Sequence, residues 1–100
     1  MKSRVVVVKF LGLLERLARR REARVEIDEE ATILDLLGVL GERYGPDLAS
    51  AIFRAPHEVH THLRVFLNEE EAAVTDRVAR VDNVSTTMAV LVLPIFEGGS

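Results

Sequence analysis

The sequence predicts an α+β domain: a mixed sheet of four to five strands, one main helix and a flexible C-terminal tail. Three observations carry that expectation. Two runs, Val5 to Val8 and Val90 to Leu93, are apolar without alternation, as strands at the middle of a sheet are. Residues 22 to 28 alternate apolar and charged side chains with a period of two, the pattern of a strand with one open face. Between them Ile33, Leu36, Leu37, Leu40 and Tyr44 recur at spacings of three and four, which puts one apolar stripe on a helix.

Composition narrows the class. One hundred residues, 48% of them apolar, suffice for one hydrophobic core and are too few for two. Residues 1 to 93 are expected to form the domain and residues 94 to 100 its tail. The chain has no cysteine, which excludes disulfides, thiolate metal sites and a cysteine nucleophile. Four consecutive valines are too short for the apolar part of a signal peptide, and no run approaches the roughly 20 residues of a membrane span. A cytoplasmic protein with no membrane partner is expected. A formal charge of -3 argues against a nucleic-acid binder that works by neutralising phosphates, so the expected partner is a protein.

Residues 4 to 10 read as the first strand, buried on both faces because both are apolar. Leu13, Leu14 and Leu17 among Glu15, Arg16 and Arg19 to Arg21 read as a short amphipathic helix after Gly12. The three arginines fit a solvated helix end, where cations face the negative pole of the helix dipole. Residues 22 to 28, so close behind the first strand, are expected to pair with it antiparallel. Thr32 and Asp35 resemble a capping box at the start of the main helix, and Gly45-Pro46 ends it. Gly38 and Gly41 each cost about 1 kcal/mol against alanine inside a helix, so the helix either packs very closely there or frays.

Residues 46 to 63 read as an insertion, a short helix over 47 to 53 followed by a polar connection over 54 to 63. That connection holds His57, His60 and His62, whose clustering raises a metal site. With Glu58 as the one nearby carboxylate and no cysteine, the expectation is no metal. Residues 64 to 68 are the third strand, Glu69 to Glu71 a charged turn, and residues 72 to 84 an irregular crossing to which Val74, Val78 and Val81 contribute a short edge strand. Residues 86 to 93 close the sheet. One convincing helix cannot cover both faces of such a sheet. Either the insertion folds over the second face, or that face is an exposed apolar patch of the kind that marks an interface.

After the last strand the chain continues as Pro94-Ile95-Phe96-Glu97-Gly98-Gly99-Ser100. Fully extended, these residues reach at most about 25 Å, enough to enter another protein's active site. Gly98 and Gly99 have no Cβ to obstruct a narrow channel.

Val6 to Phe10, Ala31 to Leu37, Arg64 to Asn68, and Val90 to Pro94 leading into Gly98-Gly99 together resemble the MoaD and ThiS type of small sulfur-carrier proteins, which have the ubiquitin-like β-grasp fold. The resemblance implies a protein that does no chemistry alone and serves as the small subunit of a molybdopterin-synthase-like sulfurtransferase. It implies that an E1-like adenylating enzyme activates the carboxylate of Gly99 with ATP, and that sulfur then replaces an oxygen to give a thiocarboxylate. Residues 94 to 98 would carry Gly99 into the molybdopterin synthase large subunit or another sulfur acceptor. No cofactor is expected on the chain itself; ATP belongs to the activating enzyme.

The chain departs from the family pattern at Glu69, where a glycine is usual, in the turn before the last strand, and at Ser100, which has to be removed before Gly99 can be activated. Two other functions fit the same residues: a ubiquitin-like modifier joined through Gly99 to lysines of target proteins, and an interaction module with an inert tail.

Overall fold

The computed structural model describes residues 3 to 78 and 86 to 92. In chain order the elements are β1 (Ser3–Phe10), α1 (Leu13–Ala18), β2 (Glu22–Asp28), α2 (Ile33–Tyr44), α3 (Pro46–Ile52), β3 (Phe53–Ala55), β4 (Glu58–Val59), β5 (Leu63–Leu67), β6 (Glu70–Ala72) and β7 (Thr86–Val92). Five strands form one mixed sheet in the order β2-β1-β7-β5-β6, while β3 and β4 make a separate ribbon. The central strand is β7, parallel to β1 and antiparallel to β5. As expected, β1 and β2 pair antiparallel, from Ser3 opposite Asp28 to Lys9 opposite Glu22.

One core lies between the sheet and the helices. Val6, Val8 and Phe10 of β1, Val25 of β2, Val65 and Leu67 of β5, and Met88 and Val90 of β7 point into it. They meet Ile33, Leu36, Leu37 and Leu40 of α2, with Leu14 of α1 and Leu48 and Ile52 of α3 beside them. Burying each such side chain is worth about 1.5 to 3 kcal/mol. Phe10 also meets Tyr44 edge to face, with ring centroids 5.7 Å apart.

The start of α2 is fixed by chemistry close in sequence. Thr32 Oγ1 accepts from the Asp35 N–H at 3.2 Å, and Asp35 Oδ2 accepts from the Thr32 N–H at 3.0 Å, a complete capping box. Two further helix N–H groups, of Ile33 and Leu34, donate to the carbonyls of Asp76 and Val74 at 2.9 Å. The irregular crossing therefore closes the helix N-terminus, whose first N–H groups have no partner within the helix. Val78, 1% exposed, then anchors the crossing in the core.

Gly45 separates α2 from α3 at φ 98°, ψ 176°, a backbone state that strains any residue with a Cβ. Pro46 then opens α3, where its missing N–H costs nothing. The two helices approach most closely at Gly41, where an added Cβ would stand 3.1 Å from Ala49 Cβ. Close packing, not fraying, is thus the outcome at Gly41, and α2 continues to Tyr44.

Four expectations need correction. Residues 54 to 63 are not a plain connection: Phe53 pairs with Val59 and Ala55 with Glu58, with His57 at φ 63° in the turn. Glu70 and Glu71 are not turn residues but pair with Leu67 and Phe66, and the described edge strand is residues 70 to 72 rather than a stretch near Val74 or Val78. The insertion does not cover the second sheet face, because α3 packs against α2 and α1 on the helical side. Finally, β1 is buried on one face only: Val6 and Val8 are inaccessible while Val5 is 48% exposed.

Candidate functional site

The open face of the sheet follows from the alternation of each strand. With Val6, Val8, Met88, Val90, Val65 and Leu67 directed into the core, strand geometry turns Val5, Val7, Lys9, Thr87, Ala89, Leu91, Arg64 and Phe66 to the other side. The register sets these residues side by side. Lys9 stands opposite Ala89, Ala89 opposite Phe66, and Leu91 opposite Arg64. An apolar strip of Val5, Val7, Ala89, Leu91 and Phe66 thus crosses three adjacent strands. Charged side chains border it: Glu22, Arg24 and Glu26 of β2 on one side, and on the other Arg64, whose Nε lies 3.5 Å from Glu71 Oε2.

Toward one end of the face the strip deepens into a recess of about 520 Å³ lined by Lys9, Phe66, Asn68, Glu69, Thr87 and Ala89. Its rim is the β5–β6 turn, with Asn68 at φ 48° and Glu69 at φ 74°. The Asn68 side chain holds that turn against the central strand. Its Oδ1 accepts from the Thr87 N–H at 3.0 Å, and the Asn68 backbone N–H donates to the Thr87 carbonyl at 2.8 Å. The positive φ of Glu69 also explains why a glycine is at home at this position.

A second concavity of about 540 Å³ lies on the helical side between α2, α3 and the β3–β4 ribbon, with Gly38 among its lining residues. It sits across the core from the open face. The residues expected to act, Pro94 to Ser100, lie outside the described residues, as does Val81. What the structure gives is their point of departure: Val92, the last residue of the central strand, paired with Leu63.

The other sequence candidates have local structural duties. His60 Nε2 lies 2.9 Å from the Ser50 carbonyl, tying the ribbon to α3, and His57 occupies the ribbon's turn. Among the described residues no group of three or more His, Asp or Glu is placed to hold a metal. Arg19 is the left-handed C-cap of α1, Arg20 lies 5.1 Å over the Tyr44 ring, and Arg21 pairs with Glu15 at 3.6 Å. Among the described residues, no helix is long and apolar enough to cross a membrane.

No family model matches the chain. Over 77 residues it is 32% identical to small archaeal modifier protein 1 of Haloferax volcanii, a match spanning 77% of this chain and 87% of that protein. The chain belongs to the ubiquitin-like family of small sulfur carriers and archaeal modifiers. The crystal structure of the Haloferax protein superposes with a TM-score of 0.76 at 29% identity, covering 95% of this chain and 99% of that one.

Small archaeal modifier protein 1 of Methanosarcina acetivorans gives 0.72 at 20% identity over 99% and 100% of the two chains. A Pyrococcus furiosus protein described as a molybdopterin converting factor subunit 1 gives 0.67 at 17% identity over 87% and 94%. At these lower identities the likeness is one of fold, the ubiquitin-like β-grasp.

The open face was visible in the sequence only as two strands without a polar side. Which of their residues face outward could not be read from four consecutive valines; pairing with β2 and β7 decides it.

Proposed function

We propose that this chain is a sulfur carrier of molybdopterin biosynthesis: Gly99 is adenylated by an E1-like enzyme, converted to a thiocarboxylate and inserted into a molybdopterin-synthase large subunit. The observation that supports it is continuity along one strand. Ala89 and Leu91 of β7 lie in the apolar strip, and in the sequence Gly98-Gly99 follow six residues after Val92, where that strand ends. A partner that covers the strip therefore has the start of the tail beside it, so binding is served by the sheet face and delivery by the residues that follow it in sequence. Positioning of this kind replaces a bimolecular encounter by a local one.

The chemistry explains the need for a partner. A carboxylate is a poor acyl electrophile, because its leaving group would be oxide. Attack of the Gly99 carboxylate on the α-phosphate of ATP forms the acyl–adenylate bond and expels pyrophosphate. A sulfur nucleophile then forms the C–S bond as AMP departs. Residues after Gly99, beginning with Ser100, have to be hydrolysed off first, since an amide at Gly99 offers no carboxylate. No cofactor is needed on the carrier.

Pyrophosphate exchange into ATP tests the first step. With the activating enzyme, a chain trimmed to Gly99 is expected to support exchange and the form retaining Ser100 is not; exchange by neither contradicts the proposal.

A second reading, a protein modifier linked through Gly99 to lysines, is favoured by the name of the 32% identical relative. Isopeptide-linked Gly99 remnants on cellular proteins would support it. A module with an inert tail is the outcome if neither activation nor conjugation occurs.

A further inference from the structure

The cationic side chains of this chain are almost all of one kind. Eleven arginines stand against two lysines, Lys2 and Lys9, and among the described residues Lys9 is the one lysine. This matters for a protein whose terminus becomes an acyl electrophile. An ordinary lysine amine is neutral about a thousand times more often than a guanidinium at neutral pH, so only the lysine is a competent acyl acceptor. Arginine supplies the same charge and the same ion pairs without that reactivity.

The arginines are exposed where an acceptor would be most accessible. Arg21, Arg77 and Arg54 have side chains 89%, 65% and 53% exposed, each paired to a glutamate at 3.4 to 3.8 Å. A lysine could hold any of these exposed pairs about as well, since such pairs contribute little. Lys9 is exposed too, but it lines the open-face recess beside Phe66 and Ala89. On the function proposed above, a docked partner covers it while the tail is charged.

We propose that this chain is an acyl donor whose described surface is kept poor in acyl acceptors: arginine carries the charge there, and Lys9, the one described lysine, lies on the face that docking covers. The reaction avoided is attack of a lysine Nζ on the activated Gly99 carbonyl of another copy. That step forms the C–N bond, breaks the bond to the leaving group and releases the amine proton to solvent. The consequence is single-copy transfer, whether the acceptor is a sulfur donor or a target lysine.

The test does not require the activating enzyme. The chain ending at Gly99 is prepared as a Gly99 thioester of mercaptoethanesulfonate and incubated alone or with excess Nα-acetyl-lysine amide, and products are read by intact mass and peptide mapping. The expected result is transfer to the added amine with little multi-copy product, what remains mapping to Lys2 and Lys9 and falling in Lys9→Arg. An Arg21→Lys, Arg54→Lys, Arg77→Lys variant should raise multi-copy product about two- to threefold, because five lysines replace the two of the sequence on an otherwise guanidinium surface. Multi-copy product equal in the two proteins overturns the proposal.

Acetylation of Lys9 by an N-hydroxysuccinimide ester, with and without the activating enzyme, examines the covered-face component. If pyrophosphate exchange occurs yet Lys9 is labelled at an unchanged rate, Lys9 is not covered and that component fails. If no exchange occurs, the proposed function fails while the thioester result still stands.

Discussion

Gly38 and Gly41 lie three residues apart in α2, yet the same substitution should stabilise at the first and not at the second. At Gly38 an added Cβ meets nothing within 4 Å. Gly38→Ala therefore gains helix propensity, about 1 kcal/mol, with no steric cost, and raises Tm by about 4 to 8 °C for a domain of this size. At Gly41 the methyl group would stand 3.1 Å from Ala49 Cβ, inside the separation of about 3.5 to 4.0 Å at which carbons attract.

Because Ala49 Cβ has no torsion to move it aside, α3 has to give by a few tenths of an ångström. Overpacking of this kind costs about 1 to 3 kcal/mol. Set against the same propensity gain, Gly41→Ala should be neutral at best and destabilising by about 2 kcal/mol at worst.

Urea denaturation monitored by circular dichroism reads both changes as shifts in midpoint at constant slope. Combining Gly41→Ala with Ala49→Gly gives a double-mutant cycle whose interaction term should be favourable, since the clash partner is gone. Equal stabilisation by Gly38→Ala and Gly41→Ala, or a cycle without coupling, would refute the packing described between α2 and α3.

Other perturbations address the cap, the core, the turn and the open face. Thr32→Ala removes the hydroxyl that accepts from Asp35 and should cost about 1 kcal/mol by thermal melting. Leu37→Ala, at a fully buried site, should cost about 2 to 5 kcal/mol, a large part of the 5 to 15 typical of a domain, and is checked by the same melts. Glu69→Gly relieves the left-handed strain at φ 74°, about 1 to 2 kcal/mol, against an added chain entropy of about 0.5 to 1; a small net gain in urea midpoint is expected. Ala89→Glu places a carboxylate in the apolar strip beside Lys9 and should leave the fold within about 0.5 kcal/mol while raising the KM for pyrophosphate exchange at least about tenfold, one 1.4 kcal/mol step in affinity.

The parts of the fold governed by neighbouring residues could be read directly. Thr32 and Asp35 cap each other across one helical turn, Gly45 and Pro46 end α2 and start α3, and the alternation of residues 22 to 28 names the buried side of β2. The parts governed by distant residues could not. Val74 and Asp76 serve α2 through backbone carbonyls, which leave no mark in side-chain pattern. The β3–β4 ribbon depends on a His57 turn and on the His60 N–H reaching the Ile52 carbonyl at 2.9 Å, so its polar residues around Pro56 resemble a plain loop. In β1, consecutive valines carry no period, and only the sheet register separates Val7 on the open face from Val6 and Val8 in the core. The role of Gly99 rests on resemblance and on the chemistry of its carboxylate.

Intact-protein mass spectrometry tests the carrier account most directly, on protein from its native cell and after incubation with activating enzyme, ATP and a sulfur donor. The account predicts loss of Ser100 followed by the mass increase of one sulfur replacing one oxygen at Gly99. Retention of Ser100 with neither adenylate nor thiocarboxylate at any stage would contradict it.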